Sequence, residues 1–249
     1  MKWSTEHGMV VRRTGGDGPR IVWIHGLGES SVSFEPVVAK MPAFSHVMID
    51  LPGYGRSAWP DAATNLETLA DHLASWLSSA APAFLVGHSM GGVLATLVAE
   101  RATVAGIVNI DGNISSGDCT FSAKASAYSL ADFRDQGFGE MRAQVYADGM
   151  QRPELRTYHA AMCLAHPESF HRHAGDLVEM SATNTLGPRL AALTCPALFV
   201  AGVPDGVCVE TRRQLTELKV RWVGIEPAGH WVYLDQLDKF VAELSRFLR

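Results

Sequence analysis

Short runs of hydrophobic residues alternate along the chain with longer segments in which hydrophobic positions recur every three or four residues. The short runs predict strands covered on both faces, and the longer segments predict helices that bury one side. The predicted strands are Met9–Arg12, Ile21–Ile24, Val47–Ile49, Ala83–Val86, Gly106–Ile110, Ala197–Val200 and Val220–Val223. This alternation is typical of an α/β fold, in which a mostly parallel sheet carries helices on both faces.

Two of the predicted helices carry clear hydrophobic stripes. The first extends over Leu66–Leu77, and Thr64 with Glu67 has the form of a capping box that would start it. The second extends over Leu237–Leu248 at the end of the chain. We expect both helices to pack their hydrophobic faces against the sheet.

The pattern changes between residues 115 and 190, where strand-like runs disappear and glycine and proline interrupt helix-compatible stretches. We interpret residues 115–190 as an inserted helical lid, and residues 1–114 and 191–249 as the core domain. The many hydrophobic side chains of the lid predict a pocket wall suited to a small, largely apolar substrate.

Composition excludes several classes of protein. With 47% hydrophobic and 19% charged residues, the 249-residue chain can bury a large core. A net charge of -5 without a basic stretch argues against a nucleic-acid partner. No hydrophobic run approaches the roughly 20 residues of a membrane span. We therefore expect a cytoplasmic monomer or homodimer with a small-molecule substrate and no membrane partner. The four cysteines are widely spaced, which predicts free thiols and no metal site.

The strongest chemical signal is the segment from Gly87 to Gly92, with the sequence GHSMGG, between a predicted strand and a predicted helix. A nucleophile on a tight strand-to-helix turn needs glycine two positions before and two positions after it, because side chains there would collide. Gly87 and Gly91 satisfy this requirement around Ser89. The pattern predicts that Ser89 is a catalytic nucleophile.

A serine hydroxyl needs a base to take its proton and an acid to orient that base. His230 follows the last predicted strand and precedes the C-terminal helix, so we expect it at the same sheet edge as Ser89. The acid has two candidates. Asp205 follows Ala197–Val200 through a Gly- and Pro-containing stretch, which favours it, and Asp111 directly follows Gly106–Ile110.

Acyl-transfer chemistry also needs backbone amides that stabilise a developing oxyanion. We expect one from Met90, the residue after the nucleophile, and the other from Leu27 in the loop that follows Ile21–Ile24. His25 and Gly26 belong to the same loop. We predict that they support its shape and that His25 is not a second base.

Four motifs in order give the chain a resemblance to the α/β-hydrolase fold superfamily along nearly its whole length. They are HGLG at His25–Gly28, DLPGYGRS at Asp50–Ser57, GHSMGG at Gly87–Gly92 and GH at Gly229–His230. The resemblance implies a triad of Ser89, Asp205 and His230, no cofactor, and a cap inserted after the sixth strand. The acid motif reads PDGVC, without the usual proline shortly after the aspartate, so Asp111 stays an alternative.

The strand-to-helix turn at Gly87–Gly92 is called the elbow below. Because it carries a serine, the chain resembles the branch of the superfamily that forms acyl-enzymes, whereas related dehalogenases and epoxide hydrolases carry an aspartate there. The chain is similar in length to small carboxylesterases, lactonases and pimeloyl-ester hydrolases. We expect an esterase or lactonase. The alternatives are a carbon–carbon bond hydrolase or cofactor-free lyase that uses the same triad, and a non-enzymatic ligand receptor, for which a damaged triad would be expected.

Overall fold

A single sheet dominates the computed structural model, which describes residues 1–78 and 81–249. Within these residues the sheet has eight strands in the order β1-β2-β4-β3-β5-β6-β7-β8. They are β1 (Lys2–Glu6), β2 (Met9–Gly15), β3 (Arg20–Ile24), β4 (Ser45–Asp50), β5 (Phe84–His88), β6 (Gly106–Ile110), β7 (Ala197–Asp205) and β8 (Trp222–Gly229). Strand β2 is antiparallel to β1 and β4, and the other neighbours are parallel. The predicted α/β class with a mostly parallel sheet is confirmed.

All seven predicted strands overlap an observed strand, but two boundaries differ in ways that affect the site. Strand β7 continues past Val200 to Asp205, and β8 runs on to Gly229. The two strands pair over this extension, with Asp205 opposite Gly229 and an irregularity between Gly202 and Pro204. Asp205 therefore ends a strand, whereas the sequence predicted a loop there.

Twelve α-helices occur in the described ranges, along with short 3₁₀ turns at Ser31–Phe34 and Ser116–Asp118 and a π-helical turn at Phe133–Gly137. The α-helices are α1 (Glu35–Lys40), α2 (Leu66–Leu77), α3 (Met90–Ala99), α4 (Phe121–Ser126), α5 (Leu130–Asp132), α6 (Phe138–Asp148), α7 (Glu154–Met162), α8 (Pro167–Ala182), α9 (Leu186–Ala191), α10 (Val209–Glu217), α11 (Val232–Asp235) and α12 (Leu237–Phe247). None of these helices has the length and hydrophobicity needed to cross a membrane.

The helices cover both faces of the sheet, as side-chain alternation shows. Phe84 packs on Phe247 of α12. Asn109 pairs in register with Gly87, three residues after Phe84, so its side chain points to the opposite face of the sheet from Phe84. On that face Asn109 contacts Gly92 of α3. Helix α3 is buried along almost its whole length between the sheet and the neighbouring α2. The elbow that precedes α3 is thus attached to a rigid helix.

The start of α2 differs from the predicted capping box. Asn65 is the N-cap residue, and its side chain accepts a hydrogen bond from the Thr68 amide at 2.7 Å. The prediction that Thr64 and Glu67 form the cap is wrong, because the neighbouring asparagine occupies the extended position whose side chain reaches the first turn. The stripe on α2 is buried as predicted, and Leu66, its first residue, is fully buried.

All secondary structure described between β6 and β7 is helical, from the turn at Ser116–Asp118 to the end of α9 at Ala191. Helix α8 packs on α4, and α6 packs on α7. Phe133, Phe138 and Phe170 form a buried aromatic cluster that joins three of these elements. The helical segment therefore has its own small hydrophobic centre beside the sheet.

Candidate active site

Several loops meet where the parallel strands end, because the carboxyl ends of parallel strands lie at one edge of a sheet. A pocket with about 390 Å³ of space opens at this edge. Its lining combines residues from the loops after β3, β5, β6 and β8 with residues of the helical segment: Gly26, Leu27, Glu29, His88, Ser89, Asn113, Asp118, Thr120, Phe121, Ser122, Tyr158, Leu177, His230 and Trp231. Ser89 and His230, which are 141 positions apart in the sequence, thus share one pocket.

Ser89 occupies the bend between β5 and α3 in a backbone conformation that is unusual for a residue with a side chain. Its φ is 54° and its ψ is -120°. Such a conformation costs about 1–3 kcal/mol and persists only when the surroundings hold it. Here the Ser89 amide donates to the Ile110 carbonyl at 2.8 Å, and the Ser89 carbonyl accepts from the Gly92 amide at 2.9 Å. The hydroxyl is partly exposed to the pocket.

The flanking glycines are required by close backbone contacts. A Cβ atom on Gly87 would lie 2.0 Å from the Gly91 carbonyl oxygen. One on Gly91 would lie 2.0 Å from the Ile24 carbonyl oxygen, at the end of β3. The elbow can therefore pack this tightly on itself and on the next strand only without these side chains.

The loop after β3 lies directly against the elbow. A Cβ atom on Gly26 would come within 3.1 Å of the Ser89 Cβ. The Gly26 amide donates to the Glu29 carboxylate at 2.7 Å and is therefore already bonded. The next amide of the loop belongs to Leu27. Met90 is the first residue of α3, and its amide has no acceptor within the helix. Leu27 and Met90 are both buried beside Ser89.

His25 is fully buried and hydrogen-bonded at both ring nitrogens. The Leu51 amide donates to its Nε2 at 3.0 Å, so Nδ1 carries the proton and donates to the Gly26 carbonyl at 2.8 Å. Burial lowers the pKa of His25, which favours this neutral form. The ring connects the loop after β3 to the end of β4.

His230 lies immediately after β8 and lines the pocket opposite the elbow. Its ring donates a hydrogen bond to the Gly206 carbonyl, which leaves the other ring nitrogen as an acceptor in the neutral form. Its own carbonyl accepts from Nε2 of His88 at 2.8 Å. These contacts hold the loop that carries His230 against the elbow.

Asp111 follows β6 with a φ of 46° and is 1% exposed. Its Oδ1 accepts from the Gly202 amide at 3.0 Å, whereas its buried Oδ2 has no hydrogen-bond partner among the described residues. A Cβ atom on Gly206 would lie 2.5 Å from this Oδ2. The unpartnered oxygen of Asp111 therefore abuts the same residue that accepts from His230. Burial raises the pKa of Asp111 well above its usual range.

Asp205 has a different environment. It ends β7 beside Gly229, and its side chain is exposed. Within the described residues, neither Asp205 nor Asp111 makes a hydrogen bond to the His230 ring. The structure thus brings Ser89 and His230 into one pocket and leaves two carboxylates near the loop that carries His230.

The sequence prediction missed a second acid and base in the site, Glu29 and His88. Glu29 is 2% exposed and His88 is 1% exposed, and Glu29 Oε2 lies 3.0 Å from His88 Nδ1. Burial alone would raise the pKa of Glu29, but the adjacent His88 charge and several hydrogen bonds lower it to about 2. Burial opposes the charge on His88, yet the Glu29 carboxylate raises the pKa of His88.

His88 and His230 are neighbours with opposite pKa shifts. Their ring centroids lie 4.7 Å apart. Burial, followed by the charge on His88, lowers the pKa of His230. His230 is therefore neutral at neutral pH, as a general base must be.

The helical segment closes one side of the pocket. Tyr158 of α7 donates to the Leu27 carbonyl at 3.1 Å and packs against Trp231, with tilted rings whose centroids lie 5.2 Å apart. Phe121 of α4 packs on Tyr158. Only part of the hydrophobic surface of the segment faces the pocket, and Leu130 is exposed on the outside.

The described residues contain no cluster of three or more His, Cys, Asp or Glu side chains that could hold a metal ion. Cys119, Cys163, Cys195 and Cys208 are free thiols.

Comparisons with known proteins identify similar chains along nearly their full length. A model of the alpha/beta hydrolase family matches residues 21–243. The chain is 32% identical over 261 residues to a pimeloyl-(acyl-carrier protein) methyl ester esterase from a Shewanella species, covering 94% of this chain and 92% of the relative. It is 27% identical over 252 residues to a 2-succinyl-6-hydroxy-2,4-cyclohexadiene-1-carboxylate synthase from Serratia proteamaculans, covering 96% of each. The enol-lactonase structure from Burkholderia xenovorans superimposes with a TM-score of 0.78, at 22% identity and 99% coverage of each chain.

The opposite pKa shifts of the two neighbouring histidines can be measured by NMR. In a titration of the ring protons, we expect His88 to lose its proton above the ordinary histidine pKa of about 6.5 and His230 below it. The variants His88→Gln and His230→Gln assign the two signals. Coincident titration of both rings near pH 6.5 would contradict the electrostatic description of the site.

Proposed function

Because the chain belongs to the alpha/beta hydrolase family and is a hydrolase, we propose that it cleaves a small, neutral ester or lactone through an acyl-enzyme on Ser89. The observation that carries the proposal is the strained, glycine-flanked Ser89 in a pocket that also contains the neutral ring of His230. A hydroxyl held on such a bend is exposed to an incoming carbonyl carbon.

In the proposed reaction, Ser89 Oγ attacks the carbonyl carbon while His230 takes the hydroxyl proton on its free ring nitrogen. The tetrahedral intermediate then collapses, and the alcohol leaves with the proton returned by His230. A water molecule, deprotonated by His230, attacks the resulting ester and releases the acid product and free Ser89. These steps need no metal or cofactor.

The Leu27 and Met90 amides are the proposed donors to the oxyanion. They flank Ser89 from the loop after β3 and from the start of α3, and the dipole of α3 adds to the stabilisation. The Gly26 amide is already bonded to Glu29, which supports Leu27 as the donor from this loop. A preorganised donor of this kind contributes about 3 kcal/mol to transition-state stabilisation.

For the orienting acid we favour Asp111. It is buried, and its unpartnered Oδ2 abuts Gly206, the residue whose carbonyl accepts from His230. A small shift of the His230 ring from this carbonyl toward Oδ2 would satisfy a buried oxygen that otherwise has no partner. Asp205 has the position expected from the family motif and is the alternative acid, although its side chain is exposed.

We further propose that residues 115–190 act as a lid on the core formed by residues 1–114 and 191–249. Tyr158, Phe121 and Leu177 from this segment line the pocket, and Tyr158 bonds the Leu27 carbonyl. The lid would thus shape the substrate space and support the loop that carries Leu27.

Charge in the pocket favours a neutral substrate. Among the residues that line it, the carboxylate of Glu29 is paired with His88, and Asp118 accepts hydrogen bonds from the Ser115 and Cys208 amides and the Thr211 hydroxyl. The lining contains no lysine or arginine. A substrate carboxylate would be buried without an unpaired cation to bind it, which is costly.

Similarity to a protein named as a synthase is the reason to keep a second candidate, a carbon–carbon bond hydrolase or cofactor-free lyase that would use the same serine and histidine. The name of that relative denotes a carboxylate product. The pocket lining described here contains no lysine or arginine to bind one, and the charged His88 ring is already paired with Glu29. We therefore favour ester or lactone hydrolysis. Formation of an acyl-enzyme distinguishes the two reactions.

Replacing Ser89 tests the proposed nucleophile. With p-nitrophenyl butyrate, we expect the native enzyme to release a burst of p-nitrophenol and Ser89→Ala to lose at least roughly a hundredfold in turnover. The melting temperature should change little, because a partly exposed hydroxyl adds little packing. Ser181→Ala removes a buried hydroxyl outside the pocket and serves as the control that retains turnover. Turnover by Ser89→Ala above a hundredth of the native value excludes Ser89 as nucleophile.

A pair of esters tests the preference for neutral substrates. p-Nitrophenyl butyrate and the p-nitrophenyl monoester of succinic acid have similar length, but only the second carries a carboxylate. We expect kcat/KM to be at least about tenfold higher for the butyrate, because the described pocket lining offers the carboxylate no unpaired cation. Ser89→Ala supplies the background rate for each ester. Equal or faster hydrolysis of the succinate ester would count against a neutral substrate.

Substitution of the two carboxylates decides which one orients His230. We expect Asp111→Asn to lower kcat by roughly a thousandfold and Asp205→Asn to lower it far less, because loss of the orienting charge removes support for the imidazolium. Both variants keep an oxygen acceptor of the same size, and melting temperatures measured in parallel report any loss of folding. A larger fall in Asp205→Asn would assign the role to Asp205.

A further inference from the structure

A buried ion pair connects three loops of the proposed active site. Glu29 lies in the loop after β3, and His88 is the last residue of β5, directly before Ser89. Their Oε2 and Nδ1 atoms are 3.0 Å apart. The mechanism proposed above assigns this pair no chemical step, although both side chains line the pocket.

The hydrogen-bond partners of His88 require its ring to carry both protons. Nδ1 faces a carboxylate oxygen, and Nε2 lies 2.8 Å from the carbonyl oxygen of His230. The carbonyl oxygen can only accept, and so can Glu29, which is ionised because its pKa is lowered to about 2; both ring nitrogens must therefore donate. His88 is therefore an imidazolium that is bonded on one side to Glu29 and on the other to the main chain of His230.

The Glu29 carboxylate is equally saturated. Its Oε2 also accepts from the Gly26 amide at 2.7 Å. Its Oε1 accepts from Nε1 of Trp231 at 2.5 Å and from the Tyr233 hydroxyl at 3.4 Å. One carboxylate thus bonds the loop next to the proposed oxyanion donor, the elbow, and the segment that follows His230.

We propose that the Glu29–His88 ion pair is a positioning device that sets the distances between Ser89, the loop carrying Leu27 and the loop carrying His230; this inference rests on the proposed function. His230 comes from a loop beyond the end of a strand, so its main chain needs a fixed partner. A charged donor on His88 supplies one, and such bonds are shorter and stronger than neutral ones. The pair acts through His230 and the backbone amides and does not touch the reacting atoms.

The test compares Glu29→Gln, His88→Gln and the double variant with the native enzyme on p-nitrophenyl butyrate. Glutamine at position 29 keeps the size of the side chain but replaces one acceptor oxygen with an amide nitrogen that can only donate. We expect each single variant to lower kcat at least about tenfold while KM stays within about threefold. The double variant should be no slower than the slower single variant, because the two residues act as a unit.

His46→Gln is the matched control. His46 is 1% exposed and is also bonded at both nitrogens, since it accepts from Trp23 Nε1 at 3.1 Å and donates to the Met41 carbonyl at 2.8 Å. It lies near the start of β4, at the other end of the sheet from the pocket. Its loss should lower the melting temperature without changing kcat per active site, counted by titration of Ser89 with a fluorophosphonate.

Trp231→Phe keeps an aromatic ring and deletes one hydrogen-bond donor to Glu29. It therefore tests the positioning role of the Glu29–His88 ion pair if the ion-pair variants do not fold. We expect its kcat to fall several-fold with little loss of melting temperature. A native kcat per active site in the variants that fold, or a rise in KM alone, would overturn the positioning role. If Ser89→Ala is inactive in the same assay, a failure of the positioning role leaves the proposed function intact. If Ser89→Ala is active, the proposed function itself is wrong.

Discussion

The steric constraint on the turn at Ser89 determines where the rest of the site must lie. The turn brings the Gly87 Cα so close to the Gly91 carbonyl, and the Gly91 Cα so close to the end of β3, that neither position tolerates a side chain. The strained φ of Ser89 is held by hydrogen bonds to β6 and to the first turn of α3. Because α3 is buried against the sheet, this turn cannot relax without moving the core.

Contact with the end of β3 then determines the next part of the site. The Gly91 backbone packs on the Ile24 carbonyl, and Gly26 packs on Ser89 itself. The loop after β3 thus packs against the elbow through Gly26, and Tyr158 of α7 hydrogen-bonds to the same loop at Leu27. A loop held on both sides can present a backbone amide in one orientation, as an oxyanion donor requires. In the proposed mechanism the helical segment would therefore support an oxyanion donor in addition to shaping the pocket.

Those parts of the molecule that depend on local sterics could be predicted from the sequence. The glycine spacing around Ser89 predicts a tight turn, because side chains at those positions would collide with neighbouring backbone. The alternating hydrophobic runs predict the strands of the sheet. Features that depend on distant pairing could not be predicted. Strand β7 continues to Asp205 because β8 pairs with it, although the intervening glycine and proline are typical of a turn.

Glu29 shows the same limit at the site itself. A glutamate in a glycine-containing loop is ordinarily exposed, and its burial here depends on Trp231 and Tyr233, about 200 positions later in the chain. Asn65 illustrates a smaller uncertainty, because two adjacent polar residues could each cap α2 and the backbone geometry decides between them. The sequence favoured Asp205 over Asp111 as the acid for a related reason, since the burial of Asp111 depends on the Gly202–Gly206 segment that packs over it.

If His230 accepts the Ser89 proton as proposed, the charges around its ring explain why an orienting acid is needed in addition to the ion pair. His88 lowers the pKa of His230, which keeps the ring neutral and able to accept a proton, but the same charge opposes the imidazolium that forms during the reaction. Glu29 offsets much of this opposition because it is paired with His88, so the pair acts on His230 nearly as a neutral group. It can hold the loop in place but cannot stabilise the new positive charge. A separate carboxylate must do so, and a buried one does it best, because the attraction is stronger where water is excluded. Burial raises the pKa of Asp111, and a positive charge on the His230 ring would lower it again, so the proposed acid and base would stabilise each other most at the proposed proton transfer from Ser89.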